Sequence, residues 1–408
     1  MSYYIYPVQK GSEDVVGMVE GTRQEGAGMM EGSASDGGGV GPGTGTQPVL
    51  RRLDEKELRA RASRRHKRRL AALAVIAIVV VASVAAYVVW KPDDSGVLRM
   101  GYFPNITHSQ ALVGLEKGIF KQHLPGTDIR TYVFNAGPSA IEAMFAGKLD
   151  ITYIGPSPTI NGYVQSGGQA LKVVAGASSG GAVLVVRNDS GIFSATDLDG
   201  HRIASPQLGN TQDVAMRHYL KVNGLKAKEE GGSVTVVNIP NADILTLFKK
   251  GELDAAWVPE PWGARLVHEA GGRLMLDERD IWPGGAFVTA NIIVSTKLLE
   301  ERPRLVKGFL EAHVEATVWI NSNPSEAKEV VNAQMEKLAG KRLDDTVLTE
   351  SFGRLNVTYD PVRSSLFTYS DWAFDLGFLG PSNPDLSGLY SLGTLNEVLR
   401  EKGLGEVG

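Results

Sequence analysis

The chain contains no cysteine. That absence excludes disulfide bridges, cysteine-ligated zinc or iron–sulfur centres, a thiol nucleophile and a lipidated cysteine. No phosphate loop of the form GxxxxGK followed by Ser or Thr occurs, and no HExxH motif, so the signatures of nucleotide hydrolysis and of zinc peptidase chemistry are missing. A basic balance is missing too. Residues 91–408 hold 30 Lys/Arg against 37 Asp/Glu, which argues against nucleic acid as the principal partner.

With 408 residues, 43% of them hydrophobic, the chain is long enough for at least two domains with sizeable cores. Residues 70–90, LAALAVIAIVVVASVAAYVVW, run for 21 positions without a charge. A helix needs roughly 20 such residues to cross a bilayer core. Ten Lys/Arg lie between Arg51 and Arg69, and Asp93 and Asp94 follow the span. Basic residues stay cytoplasmic, so the body is expected outside the membrane. The alternative is a cleaved signal peptide, with Ser83-Val84-Ala85 as its small-residue site. Residues 1–50 are glycine-rich and show no hydrophobic period. The expectation is therefore a disordered cytoplasmic tail with a basic stub over 1–69 and a transmembrane helix over 70–90.

From Val97 onward short apolar runs alternate with helical segments. Residues 98–102, 131–134 and 151–154 read as strands, and 109–117, 140–146 and 159–164 as helices. This is an α/β pattern with mainly parallel strands. The body also repeats itself. GKLDITYIGPSP at 147–158 aligns with GELDAAWVPEPW at 251–262, pairing Gly, Leu and Asp and matching Tyr153 to Trp257. Two α/β lobes of similar construction would produce such a repeat, as would chance between two helix–Gly–strand units.

Strand-to-helix junctions are polar and rarely charged. FPNITHSQ gives Thr107 and Gln110 capping-box spacing, and NAGPSAIE gives Ser139 and Glu142 the same. In GPSPT, Ser157 reads as an N-cap with Pro158 at the first helical position. In SPQLGNTQD, Asn210 or Thr211 caps, with Asp213 in the first turn; in VPEPW, Pro261 opens a helix. In open α/β sheets ligands bind beyond the carboxyl ends of strands. Helix N-termini there offer unpaired N–H donors and a positive dipole end. Neutral hydroxyls and amides beside them suit an oxyanion that needs many hydrogen bonds and no full countercharge. Each loop taken singly is also explained by capping alone.

The segments RMGYFPNITHSQALVGLEKGIF, FNAGPSAIEAMFAGKLDITYIGPSP, ASPQLGNTQDVAMRHYL and GELDAAWVPEPWGARLV resemble those of the periplasmic substrate-binding proteins of ABC importers for nitrate, sulfonate and taurine. The first three look closest to the aliphatic-sulfonate-binding branch. The resemblance spans about 97–404. It implies a two-lobed, hinge-closing α/β fold, type II among periplasmic binding proteins, behind the transmembrane helix. Lobe one would be 97–182 with 290–408 and lobe two 183–289, joined at 183–186 and 287–294. It further implies a small oxyanion ligand such as an aliphatic sulfonate, with nitrate, bicarbonate or taurine as alternatives, an ABC permease with its ATPase as partners, no cofactor, no metal and no catalysis. Ser157, Asn210, Thr211 and Gln212 would donate to the oxyanion. Thr107 and His108 sit at the first junction, and Ser178 and Ser179 lie near the first crossing. Trp257 and Trp262 would wall the cleft, and Glu260 would meet a ligand amine or simply favour its helix start. The same broad fold resembles thiamine-pyrimidine-precursor synthases, whose cysteine-rich iron motif is absent here. A sensory ectodomain is the remaining class.

Overall fold

The computed structural model describes residues 96–408, the backbone of residues 3–10 and 13–20, and Leu73. The basic stub and all of the apolar span except Leu73 lie outside the described residues. Among the described residues no helix is long and apolar enough to cross a membrane.

Two sheets organise the chain. The first contains β1 (Tyr3–Lys10), β2 (Glu13–Glu20), β3 (Val97–Tyr102), β4 (Asp128–Val133), β5 (Ile151–Ile154) and β6 (Leu171–Gly180). The second contains β7 (Ala182–Arg187), β8 (Arg202–Ser205), β9 (Thr235–Asn238), β10 (Ala255–Pro259) and β11 (Gly272–Asp277). The chain then returns to the first sheet with β12 (Val288–Ser295) and β13 (Leu355–Val357). The orders are β1-β2-β4-β3-β5-β12-β6-β13 and β11-β7-β10-β8-β9.

Both sheets are mixed rather than mainly parallel. β3 pairs in parallel with β4 and β5, and β8 with β9 and β10. β12 runs antiparallel to β5 and β6, and β7 antiparallel to β10 and β11. β3, β4 and β5 of the first sheet and β8, β9 and β10 of the second each run on into a helix, and loops at the carboxyl ends of such strands are where ligands bind in open α/β sheets.

The crossings differ from the expected ones. Residues 183–186 lie inside β7, and 288–294 inside β12. Residues 183–186 are an unbroken apolar run, and both stretches are buried throughout, as strands covered on both faces are. The outward switch occurs at Gly180 and Gly181, with φ of 76° and 81°, a backbone that side chains disfavour. The return runs through residues 278–287.

The repeat is structural. Gly147 and Gly251 both take positive φ just past a helix end, as a C′ glycine does. Leu149 and Leu253 are both buried. The Asp150 carboxylate accepts from Arg99 N at 2.8 Å, and that of Asp254 from Arg202 N at 2.9 Å. Each Asp thus ties its strand to the start of a neighbouring one, and Tyr153 and Trp257 both point into cores.

One segment departs from the reading of a disordered tail. β1 and β2 form an antiparallel hairpin, Tyr3 opposite Glu20 through Lys10 opposite Glu13, and β2 bridges to β4 at Val16 and Tyr132. The glycine content of residues 1–50 masked two runs rich in Tyr, Ile and Val, residues that favour strands.

Candidate ligand-binding cleft

Seven segments, counting Thr289 of β12, meet at a small space of about 20 Å³, roughly one water-sized site. From the first sheet come Asn105, Thr107 and His108 after β3, Asn135 and Ala136 after β4, and Gly155 after β5. From the second come Asn210, Thr211 and Gln212 after β8, Asn241 after β9, and Pro259 at the end of β10. These include all five polar junctions of the sequence, with Asn241 in addition. Among the described residues none of the lining side chains carries a full charge at neutral pH.

The polar residues at these junctions do not cap their helices. Helix Gly137–Phe145 has Ala136 at its N-cap, so Ser139 is its third residue and forms no box with Glu142. Helix Pro156–Gln165 begins one proline earlier than expected, with Gly155 as N-cap and Ser157 second. Asn210 is the N-cap of helix Thr211–Val222 but makes no side-chain cap bond. The expected box between Thr107 and Gln110 is also absent, since Gln110 Nε2 donates to Ala177 O at 2.7 Å. Away from the cleft, by contrast, the Ser295 side chain accepts from Leu298 N, and Ser194 and Asp197 complete a capping box.

The consequence is a set of orphan groups. The hydroxyls of Ser157 and Thr211 and the amide oxygen of Asn241 are buried without a hydrogen-bond partner. Each such group costs about 1–3 kcal/mol in the protein alone, and functional sites are where such costs are tolerated. Thr211 reaches across the cleft to Gly155. A Cβ at residue 155 would lie 2.2 Å from the Thr211 hydroxyl, so only glycine admits it there. Ser157, the second residue of helix Pro156–Gln165, is not among the lining residues.

His108 is a neutral donor. Its Nδ1 accepts from Phe103 N at 3.1 Å, which leaves the proton on Nε2. Burial pushes its pKa down to about 3, and the ring stacks on Phe103 at 4.7 Å. A cationic histidine is thereby excluded from the cleft at neutral pH.

Asp213 builds the loop that carries Asn210 and Thr211. Its buried carboxylate accepts from Ser205 Oγ and Asn238 Nδ2 at 2.8 Å, Gly209 N at 2.9 Å and Arg217 Nε at 3.1 Å. The first-turn acid of the sequence is an anchor, not a ligand contact.

Other expected site residues lie elsewhere. Trp257 is fully buried, donating from Nε1 to Glu278 at 2.8 Å; its place in a repeat unit, not in the cleft wall, explains its size. The Glu260 carboxylate accepts from Arg354 Nη1 at 2.7 Å, Ala264 N at 3.0 Å and Ser351 Oγ at 3.1 Å. Burial holds its pKa above the usual range despite Arg354. It is occupied within the protein and does not face a ligand amine. Ser179 Oγ accepts from Phe287 N at 3.2 Å, and the Ser178 hydroxyl is buried in β6 without a partner; neither lines the inner space. Trp262 stands just outside it, donating from Nε1 to Asn105 Oδ1 at 3.1 Å.

Sequence reasoning missed Asn105, Asn135, Asn241 and Thr289. The first two stand inside the quoted junctions FPNITHSQ and NAGPSAIE, and Asn241 repeats the pattern after β9. Thr289 comes from within a strand and has no local signal.

The NMT1-like family model matches residues 91–335, well over half of the chain. A protein of Brucella abortus (strain 2308), named as a binding protein, is 28% identical over 268 residues, covering 63% of this chain and 80% of its own length. The taurine-binding periplasmic protein of Escherichia coli K12 is 27% identical over 194 residues, covering 47% of this chain and 57% of its own. The alkanesulfonate-binding protein SsuA from Xanthomonas axonopodis pv. citri, solved bound to MOPS, superposes with a TM-score of 0.62 over 73% of this chain and 99% of that one. Its 19% identity makes this a likeness of fold. The family match takes in the whole second sheet, β3 to β6 and β12 of the first, Gly180 and Gly181 between them, and every junction of the cleft, and on that ground the chain belongs to the NMT1-like family.

Proposed function

We propose that the protein is the extracytoplasmic solute-binding component of an ABC importer and binds a small oxyanion, such as an aliphatic sulfonate, between its two lobes. The observation that carries this reading is the convergence of helix N-termini without side-chain caps on a space where the Thr211 hydroxyl is buried without a partner. A ligand oxyanion would satisfy Thr211 and the free N–H groups at once, and several neutral donors can match its geometry while still releasing it to a permease. The names of the relatives support the same role. No nucleophile–base pair lies in the cleft, which supports binding without turnover. Calorimetric titration of the full chain against methanesulfonate, taurine and nitrate tests the reading. Saturable binding of at least one is expected, and binding of none would overturn it.

The apolar span 70–90 is proposed as a tether that keeps the body beside its transporter and raises the local concentration there. A single crossing separates residues 1–69 from the body, so it excludes the bridge between Val16 and Tyr132 in the same molecule. The absence of native cysteine makes the decision direct. In intact cells a membrane-impermeant maleimide should label Ser95→Cys and spare Ser12→Cys. Labelling of both would overturn the tether and leave the hairpin on the body.

A further inference from the structure

We infer that the seam between helices Trp262–Ala270 and Asp345–Gly353 is a latch that holds the two lobes shut without touching the ligand; this rests on reading the cleft as a site closed between lobes. The first helix follows β10 of the second sheet, and the second leads into β13 of the first. Ion pairs run along the seam. Arg354 Nη1 donates to Glu260 Oε1 at 2.7 Å, and Arg354 Nη2 to Glu350 Oε2 at 2.7 Å. Glu350 Oε1 in turn accepts from His268 Nε2 at 2.8 Å. Beyond them Lys341 Nζ lies 3.6 Å from Glu269. Glu260, His268 and Glu269 belong to the second lobe, and Arg354, Glu350 and Lys341 to the first, so every link but Arg354 to Glu350 joins one lobe to the other.

The seam has a fixed end and a free end. Glu260 is fully buried, and its N–H donates to Gly181 O at 2.8 Å, at the outward switch between the sheets. A pair beside that pivot moves little when the lobes separate. The side chains of His268 and Glu350 are 33% and 34% exposed, and that of Lys341 is 66% exposed. They stand near the mouth of the cleft, where Trp262 and Arg265 of the second lobe face Leu338 and Ala339 of the first across a space of about 370 Å³. Drawing those walls apart breaks the pairs of His268 and Lys341. Exposed pairs contribute little singly, so the free end can part and re-form, while the buried pair of Glu260 with Arg354 is costly to break and anchors the other end. Contacts made only with the lobes together raise the population of that state, and a ligand held between the lobes gains apparent affinity in proportion.

Pulsed electron resonance on the full chain tests the latch. The chain has no native cysteine, so spin labels can be confined to Asp243→Cys and Glu336→Cys, exposed positions beside the lining residues on opposite sides of the mouth. His268→Gln combined with Lys341→Gln breaks the free end at partly exposed side chains that do not line the cleft. Without ligand, this variant should shift the label distances toward longer values, with the ratio of open to closed forms rising about threefold or more. Affinity for methanesulfonate, taurine or nitrate, measured by calorimetry, should weaken with it. Lys307→Gln, which breaks two ion pairs within the first lobe, should change neither. An unchanged distance in the double variant overturns the latch, as does a longer distance with unchanged affinity or an equal lengthening in Lys307→Gln. Binding of none of the three anions overturns the oxyanion reading alone, because the distance is measured without ligand and decides the latch by itself in that case.

Discussion

Thr211 holds a buried hydroxyl that bonds to nothing in the protein. Had it capped its helix, as its place before an amphipathic run suggests, replacement would cost roughly 1 kcal/mol of stability. Because it does not cap, Thr211→Ala breaks no bond in the free protein, and the melting temperature should hold or rise slightly. Ligand affinity should fall about tenfold or more, since a hydrogen bond to a charged group contributes about 1.5–3 kcal/mol. Thermal melting and calorimetry on one preparation separate the two. A lower melting point with unchanged affinity would assign Thr211 to packing. His108 adds a second expectation at this scale. Its pKa of about 3 keeps it neutral, so its contribution to affinity should not change between pH 6 and 8.

At the scale of an element, the loop from Ser205 to the helix Thr211–Val222 owes its shape to Asp213. Four donors from four places converge on one buried carboxylate. Removing it strands Arg217, only 4% exposed, although Glu229 and Glu230 still hold that guanidinium at 2.8 and 2.9 Å. Breaking a buried pair costs about 3–5 kcal/mol, and the two remaining acids place Asp213→Ala near the lower end. Urea unfolding should show about 3 kcal/mol lost, with a smaller loss for Asp213→Asn, which keeps one acceptor. A change below about 0.5 kcal/mol would show that the loop does not depend on Asp213. The junction was visible in the sequence as polar residues before a helix. That these residues leave their helices uncapped was not, because capping and ligand binding call for the same residue types at the same positions.

At the scale of the whole molecule, Glu278 opens the return crossing from the second sheet to the first. Its carboxylate accepts from Tyr369 Oη at 2.5 Å, Trp257 Nε1 at 2.8 Å and Trp282 Nε1 at 3.3 Å. Burial pushes its pKa up to about 6 from 4.5, against the pull of those three donors. The folded state therefore holds this proton more tightly than the unfolded chain between pH 4.5 and 6. The contribution is most favourable below pH 4.5 and is lost as pH rises through 6, by about 2 kcal/mol. Glu278→Gln removes the titration. Unfolding free energies of wild type and variant, measured at pH 4.5 and 7, should diverge by about that amount, with the wild type relatively weaker at the higher pH. Parallel pH profiles would overturn the assignment.

What the sequence determined by itself was local. Alternating apolar runs and helical periods specify an α/β chain, the recurrence of Gly, Leu and Asp at 147–150 and 251–254 specifies two equivalent turns, and the junction loops announce their polarity. All of these rest on interactions within a few residues or on the period of a face. Tertiary structure decided the rest. Which hydroxyls remain unpaired depends on groups from other elements: Thr211 meets Gly155, 56 positions earlier in the chain. Glu260 is withdrawn from the cleft by Arg354, 94 positions away, and Trp257 by Glu278 and the core around it. Burial and partnering are properties of the packed chain, and residue type alone cannot distinguish a donor held for a ligand from one already given to the fold.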